Sequence, residues 1–270
     1  MTFEKLPTGN KRATGVTRDV VIFVDRLILG LTQHWAAWIV VAMLLYAGLP
    51  FVAPVAMHLG AAPLADAIYS VYGPLCHQMA FRSWFLFGEE TAYPRAQAGL
   101  PGLTFEDIAR GDPAFAGVDI TTVNPQLVYA AKVFRGNERV GWKVAFCERD
   151  VAIYGSIALF GIFYIVGRWR KFKLPFLPFW AYIVFAILPI LADGGSQYIG
   201  NLQAIGITLN FTRESTPFLR ALTGTLFGVG NAWLAFPYLS ASMKETHSLL
   251  TARLGRAGLL KRAEARVKPR

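Results

Sequence analysis

Four stretches of this chain, 35–57, 151–167, 174–192 and 217–240, are almost wholly apolar. They are too long for strands, and several approach the ~20 residues needed to cross a hydrocarbon core. A backbone in lipid must satisfy its own N–H and C=O groups, so helices are the predicted form. Only 16% of the residues are charged, against about 25% in soluble domains. Period-2 strand patterns with turn signals are not evident. The predicted class is all-α: a polytopic integral membrane helical bundle of about four transmembrane helices, with amphipathic and outer-face helices added.

The net charge of +10 is unevenly spread. Lys5, Lys11, Arg12, Arg18 and Arg26 precede the first span. Arg168, Arg170, Lys171 and Lys173 fill the turn between the second and third. Lys244, Arg253, Arg256, Lys261, Arg262, Arg266, Lys268 and Arg270 follow the fourth. The 58–150 region instead carries ten acidic and eight basic residues. Positive charge collects on the cytoplasmic side of membrane proteins. The pattern therefore predicts a multi-pass protein of the cell membrane, both termini cytoplasmic, with 58–150 and 193–216 facing outward. Basic segments beside a membrane read as lipid-surface contacts, so the expected partners are membrane lipids and not nucleic acid. The polar first 26 residues contain no cleavable leader, and the first span is expected to stay as an anchor.

Three regions follow. Residues 1–33 read as a cytoplasmic N-terminal amphipathic segment, with Val20, Ile22, Phe23, Leu27, Ile28 and Leu31 as its apolar stripe. Residues 34–240 form the membrane domain with an outer insert at 89–146, and 241–270 form a basic cytoplasmic tail. Trp35 and Trp38 are expected as interfacial anchors, and Pro50 and Pro54 to kink or break the first span. Residues 61–88 read as an outer-face helix pair or re-entrant element. In the insert, Thr104 is a predicted N-cap and Asn124-Pro125 a turn or helix start. Arg135–Arg139 reads as a turn. The insert as a whole is expected to be a small covered loop region. Gly224-Thr-Leu-Phe-Gly228 in span four is a pair of small residues that permits close helix packing.

The unusual polar motifs all fall at the predicted outer ends of the spans: Cys76-His77-Gln78 with Arg82-Ser83, Cys147-Glu148-Arg149-Asp150, Asp193-Gly194-Gly195-Ser196-Gln197, and Arg213-Glu214-Ser215-Thr216 with Arg220. Ionisable residues at membrane depth are costly, and are paired or functional. His77, Asp150 and Asp193 are the candidate acid–base groups. Gln78, Arg82, Arg149, Gln197, Arg213, Glu214 and Arg220 are candidate ligand-binding residues, the arginines as forked donors to phosphate or carboxylate. The same charges can instead neutralise one another and lock the bundle. Cys76, His77 and Cys147 are candidate zinc ligands. The two cysteines are equally a candidate disulfide or two free thiols. No Gly-x-Ser-x-Gly elbow surrounds any serine.

As a set these motifs resemble the membrane proteins grouped as domain of unknown function 2085 (DUF2085). The resemblance runs through Cys76-His77-Gln78 and Arg82–Gly88, then Cys147–Asp150 leading to Ile153-Tyr154-x-Gly-like chain at Gly155. Asp193–Gln197, Arg213–Thr216, Leu219-Arg220 and Thr223-Gly224 complete it. It spans roughly residues 60–235 and implies a prokaryotic membrane protein of helical fold, without fixing an activity. Relatives carry a second cysteine where this chain has Asp150, which argues against a dithiol pair there. Their first two motifs lie closer together, so 89–146 reads as an insertion.

Two functions stay open on this reading. One is an outer-leaflet site that binds or processes an anionic lipid or phosphate-bearing ligand. The other is a non-catalytic accessory subunit, docked to partner membrane subunits through 89–146 and 241–270. A transporter ranks behind both, since no internal repeat or broken-helix pair is evident.

Overall fold

A computed structural model describes residues 15–172, 174–201 and 213–259. The expectations for Lys5, Lys11, Arg12, Lys173, the 202–212 part of the loop and the tail beyond 259 lie outside the described residues. The chain is mostly helical, at 69%. Among the described residues three helices are long and apolar enough to cross a membrane: Arg18–His58, Glu148–Trp169 and Phe179–Ile199. Two compact units are present, one of Met1–Trp38 with Tyr238–Arg270 and one of Ile39–Pro237.

The first unit is built from the opening of helix α1 (Val16–His58) and the end of helix α9 (Pro217–Arg256). Its inside mixes apolar side chains, Leu29, Trp35 and Leu254 among them, with paired polar ones. Asp25 is buried and pairs with Arg253 at 3.3 Å, Arg26 donates to the Leu259 carbonyl at 2.8 Å, and buried His247 lies 3.3 Å from the Gln33 amide. The stripe of Val20, Phe23, Leu27 and Leu31 points outward and is exposed.

In the second unit, α1 runs unbroken through Pro50 and Pro54 to His58, against expectation; its non-helical backbone is at His34 (φ −118°, ψ 19°). A proline removes the bond to the carbonyl four residues back. For Pro50 that carbonyl belongs to Tyr46, and the Tyr72 hydroxyl donates to it at 2.8 Å. The freed acceptor is satisfied, so the helix persists. Trp35 is buried and Trp38 exposed.

Residues 62–147 depart most from the expectation of an all-helical chain. Helix α2 (Ala62–Tyr72) is followed by strand β1 (Ser83–Leu86), short helix α3 (Phe105–Ala109) and α4 (Pro125–Val133), then strands β2 (Gly136–Asn137) and β3 (Gly141–Cys147). The strands form an antiparallel sheet in the order β1-β3-β2, with Ser83 opposite Cys147 and Leu86 opposite Trp142. Thr104 caps α3 in a capping box with Asp107, and Asn124 caps α4, as their sequence signals predict. The expected loop region is in fact a folded layer with an aromatic core. Phe81 meets Phe105 edge-on at 5.0 Å, Phe85 meets Tyr93 at 5.1 Å and Phe105 meets Phe115 at 5.3 Å.

Lys143 of β3 is wholly buried, yet its Nζ donates to the carbonyls of Gln78 (2.7 Å), Ala131 (3.1 Å) and Lys132 (2.7 Å). Two of these are last-turn carbonyls of α4, which have no partner within the helix. An ammonium has three N–H donors, and all three are used here. Burial still pushes its pKa down to about 7 from an ordinary 10.5.

Helix α5 (Glu148–Trp169) starts directly from β3. The third span is wound unevenly: α6 (Phe179–Tyr182), a π-turn at Ile183–Ile187, α7 (Leu188–Ile190), a second π-turn at Leu191–Gly195, then α8 (Ser196–Asn201). The first wide turn sits just before Pro189, whose missing N–H and ring a regular turn accommodates poorly. The part of the outer loop from Gly194 to Asn201 is therefore helical. Helix α9 starts at Pro217 as predicted; Thr223, three glycines and Asn231 dilute its apolar character.

Helix α9 packs on α5 with backbone nearly touching backbone. A Cβ at Gly224 would stand 2.7 Å from the Arg149 carbonyl oxygen, and one at Gly228 would stand 2.3 Å from that of Ile153. Gly155, also on α5, faces open space. Two predictions follow from this packing and from Lys143. Gly228→Ala lowers the thermal midpoint of the detergent-solubilised protein sharply, whereas Gly155→Ala leaves it unchanged or slightly raised. For Lys143, the unfolded chain binds the proton more tightly than the folded one. Stability therefore rises as pH goes from about 7 toward 10.5, and is lost again as pH falls back to about 7. A pH series of thermal midpoints shows this rise in the natural protein and lacks it in Lys143→Met.

Candidate functional site

Four segments meet at one end of the helices in the second unit: the entry to β1, the start of α5, the second π-turn with α8, and the start of α9. Their charges join in one network. Glu214 is its centre. It is buried and accepts from Arg82 at both oxygens, 3.1 Å from Nε and 3.0 Å from a terminal nitrogen. It also accepts from Arg220 and, at 2.7 Å, from the Gln197 amide. Arg220, 1% exposed, reaches on to Glu148 at 3.0 Å and to the Phe81 carbonyl at 3.1 Å.

Gln197 connects this half to a second. Its carbonyl oxygen accepts from Arg149 at 3.0 Å. The same arginine nitrogen donates to Asp193 at 2.5 Å, and Arg213 takes the other Asp193 oxygen at 3.2 Å. Arg213 also donates to the Ser196 hydroxyl at 2.5 Å. Thr223 of α9 comes within 3.5 Å of Asp193, while Thr216 accepts from the Leu219 N–H at 3.1 Å and caps that helix.

The start of α5 distributes its residues by helical geometry. Successive positions point about 100° apart, so Glu148 meets Arg220, Arg149 meets Asp193 and Asp150 faces elsewhere. The π-turn at Leu191–Gly195 carries Asp193 buried, at 4% exposure, beneath Arg149 and Arg213. At Gly194 a Cβ would come within 3.0 Å of an Arg149 nitrogen, so the guanidinium lies over the bare backbone.

The structure thus brings together Arg82, Arg149, Asp193, Gln197, Arg213, Glu214 and Arg220, all named from the sequence. Glu148, Ser196 and Thr223 complete the network; they stand within the motifs but are not among the candidate acid–base or ligand-binding residues. Glu148 had a readable signal in its place between Cys147 and Arg149, but nothing in the sequence tells which neighbour it would meet. Three expected members stand apart. His77 is exposed and shares no site with the cysteines. Gln78 is buried, and its amide donates to the carbonyls of Tyr69 (3.2 Å) and Ala145 (2.9 Å); it braces the backbone in place of facing a ligand. Asp150 belongs to a second cluster with Cys76 and Cys147, whose donor atoms all lie within 4.8 Å of one another.

In that second cluster both cysteines are unbridged. Cys76 Sγ accepts from two backbone N–H groups, of Gln78 at 3.5 Å and Cys147 at 3.3 Å. Cys147 Sγ lies 2.9 Å from an Asp150 oxygen. Hydrogen bonding to Cys76, then burial and the nearby Asp150 carboxylate, hold the Cys147 thiol well above its ordinary pKa.

A family model described as Predicted membrane protein (DUF2085) matches residues 138–234. The match takes in β3, α5, the third span and the first half of α9, hence most of the charge network. It begins after Cys76 and Arg82. No curated protein and no solved structure matches the chain.

Removing one partner from a buried ion pair leaves an uncompensated charge, at a cost of about 3–5 kcal/mol. Glu214→Gln is therefore expected to destabilise the solubilised protein by that order. Glu89→Gln, which breaks the exposed Arg139–Glu89 pair at 3.4 Å, leaves the melting curve where it was. Thermal unfolding of the two variants side by side makes the comparison.

Proposed function

We propose that this integral membrane protein crosses the bilayer four times, with α9 as the fourth span and both termini cytoplasmic. On this reading its charge network holds a phosphate-bearing group, the headgroup of an anionic lipid, at the outer leaflet. The skewed distribution of lysine and arginine supports the orientation. The observation that carries the ligand is the charge balance. Arg82, Arg149, Arg213 and Arg220 are set against Glu148, Asp193 and Glu214, so one guanidinium is in excess.

The excess is also exposed in the right place. Arg82 and Arg220 are committed to Glu214 and Glu148, whereas Arg149 and Arg213 divide the two oxygens of a single carboxylate. Their side chains are 21% and 35% exposed. Arg149 Nε is buried without an acceptor. Two forked cations sharing one anion suit a second, larger anion such as a phosphate. Headgroup binding alone accounts for these features.

A docking role for the insert has one observation in its favour. Tyr129 and Val133 stand one turn apart on α4, 69% and 48% exposed, a small apolar face with room for a partner subunit.

The test is lipid binding by the full chain in detergent, followed by native mass spectrometry. It uses added phosphatidylglycerol, phosphatidylcholine or inorganic phosphate as separate probes. The expected result is preferential retention of the anionic lipid, weakened about tenfold, or ~1.4 kcal/mol, in Arg149→Gln/Arg213→Gln. Equal retention of both lipids, or no change in the double variant, overturns the reading. Competition by inorganic phosphate alone assigns the site to free phosphate instead.

A further inference from the structure

The cysteine cluster lies outside this network, and a local rule is broken there. At a helix start the residue at the third helical position commonly folds its carboxylate back onto the N-cap N–H. Cys147 is the N-cap of α5 and Asp150 that third residue. Yet the Cys147 N–H is directed at Cys76 Sγ, 3.3 Å away, and the Asp150 carboxylate at Cys147 Sγ, 2.9 Å away. Both groups that would close a capping box address sulfur instead. Departures of this kind from local preference mark functional positions.

We propose that Cys76, Cys147 and Asp150 form a three-ligand site for a zinc-class divalent ion, with a fourth position left for water or an external ligand. The three donors come from separate places in the fold: the turn after α2, the last residue of β3 and the first turn of α5. They lie within 4.8 Å of one another. A tetrahedral ion with Zn–S bonds of about 2.3 Å holds two sulfurs about 3.8 Å apart, so only small side-chain shifts close the set. The two backbone N–H groups on Cys76 are the outer hydrogen bonds that a metal-bound thiolate receives.

The donor chemistry selects the ion. Two sulfurs favour zinc and other soft or borderline metals over calcium and magnesium, and the carboxylate oxygen disfavours Cu(I). Three protein ligands plus an open position is the coordination of reactive rather than purely structural zinc. The wall around it is aromatic: Phe146 is buried in the same cluster as Cys76, and the partly buried Tyr46 and Tyr154 pack against it, with ring centroids 4.7–5.8 Å apart. Binding would release the thiol protons to solvent and leave Cys76 and Cys147 as thiolates.

The experiment uses the full chain, purified in detergent under reducing conditions without a metal-affinity tag. It is dialysed against zinc and then against metal-free buffer, and metal per chain is measured by elemental mass spectrometry. One zinc per chain is expected. Cys76→Ser and Cys147→Ser reduce it to near zero, Asp150→Asn weakens retention about tenfold or more, and His77→Ala leaves it intact. Cobalt loaded in place of zinc gives a thiolate charge-transfer band in the natural protein. That readout does not depend on how well the variants fold.

Zinc retention unchanged in Arg149→Gln/Arg213→Gln separates this site from the headgroup reading. Absence of both zinc and the cobalt band from the natural protein overturns the proposal. So does recovery of Cys76 and Cys147 as a disulfide when thiols are blocked before any reductant is added.

Discussion

The folded second unit turns on one buried carboxylate. Glu214 receives both prongs of Arg82, a nitrogen of Arg220 and the amide of Gln197. Its charge is thereby tied to the sheet layer, to α9 and to the third span. An isolated carboxylate in such a place would be neutralised or forced out. Four N–H donors compensate its burial, and the helix ends must come together to deliver them. Asp193, held by Arg149 and Arg213, repeats the device, and Glu148 pairs with Arg220 through one oxygen. Each charge is expensive alone, and together they specify which helix end lies beside which.

Much of this was legible because membrane helices begin and end in predictable places. Arg149 stands at the start of α5, Asp193 toward the far end of the third apolar stretch and Arg213 just before α9, so the ends of the apolar stretches point to where the charges meet. The caps at Thr104 and Asn124 were equally readable, since each is a short polar side chain placed just before an apolar run. The family match over 138–234 agrees with the resemblance carried by the motifs from Cys147 onward.

What was not legible depended on contacts distant in sequence. Strand β1 is four residues long, and its partner β3 lies some sixty residues away, so no alternation of useful length appears. The persistence of α1 through Pro50 required a hydroxyl from Tyr72, invisible from the proline itself. Adjacent residues also diverge. His77 is exposed while Cys76 and Gln78 are buried, and Gln78 itself takes a left-handed backbone with φ 51°. Residues that the sequence presents as one motif thus face different surroundings.

The glycine seam between α5 and α9 has a consequence for motion. Gly224 sits against the Arg149 carbonyl, and Gly228 against the Ile153 carbonyl and the Ser156 hydroxyl, so little side chain stands at the seam. The two helices behave as one stiff ridge. The third apolar stretch is different: two π-turns, at Ile183–Ile187 and Leu191–Gly195, interrupt its regular winding, and turns of this kind are frequent at functional sites. Any reshaping around Asp193 is thus a task for the unevenly wound helix, while its neighbours serve as the fixed frame.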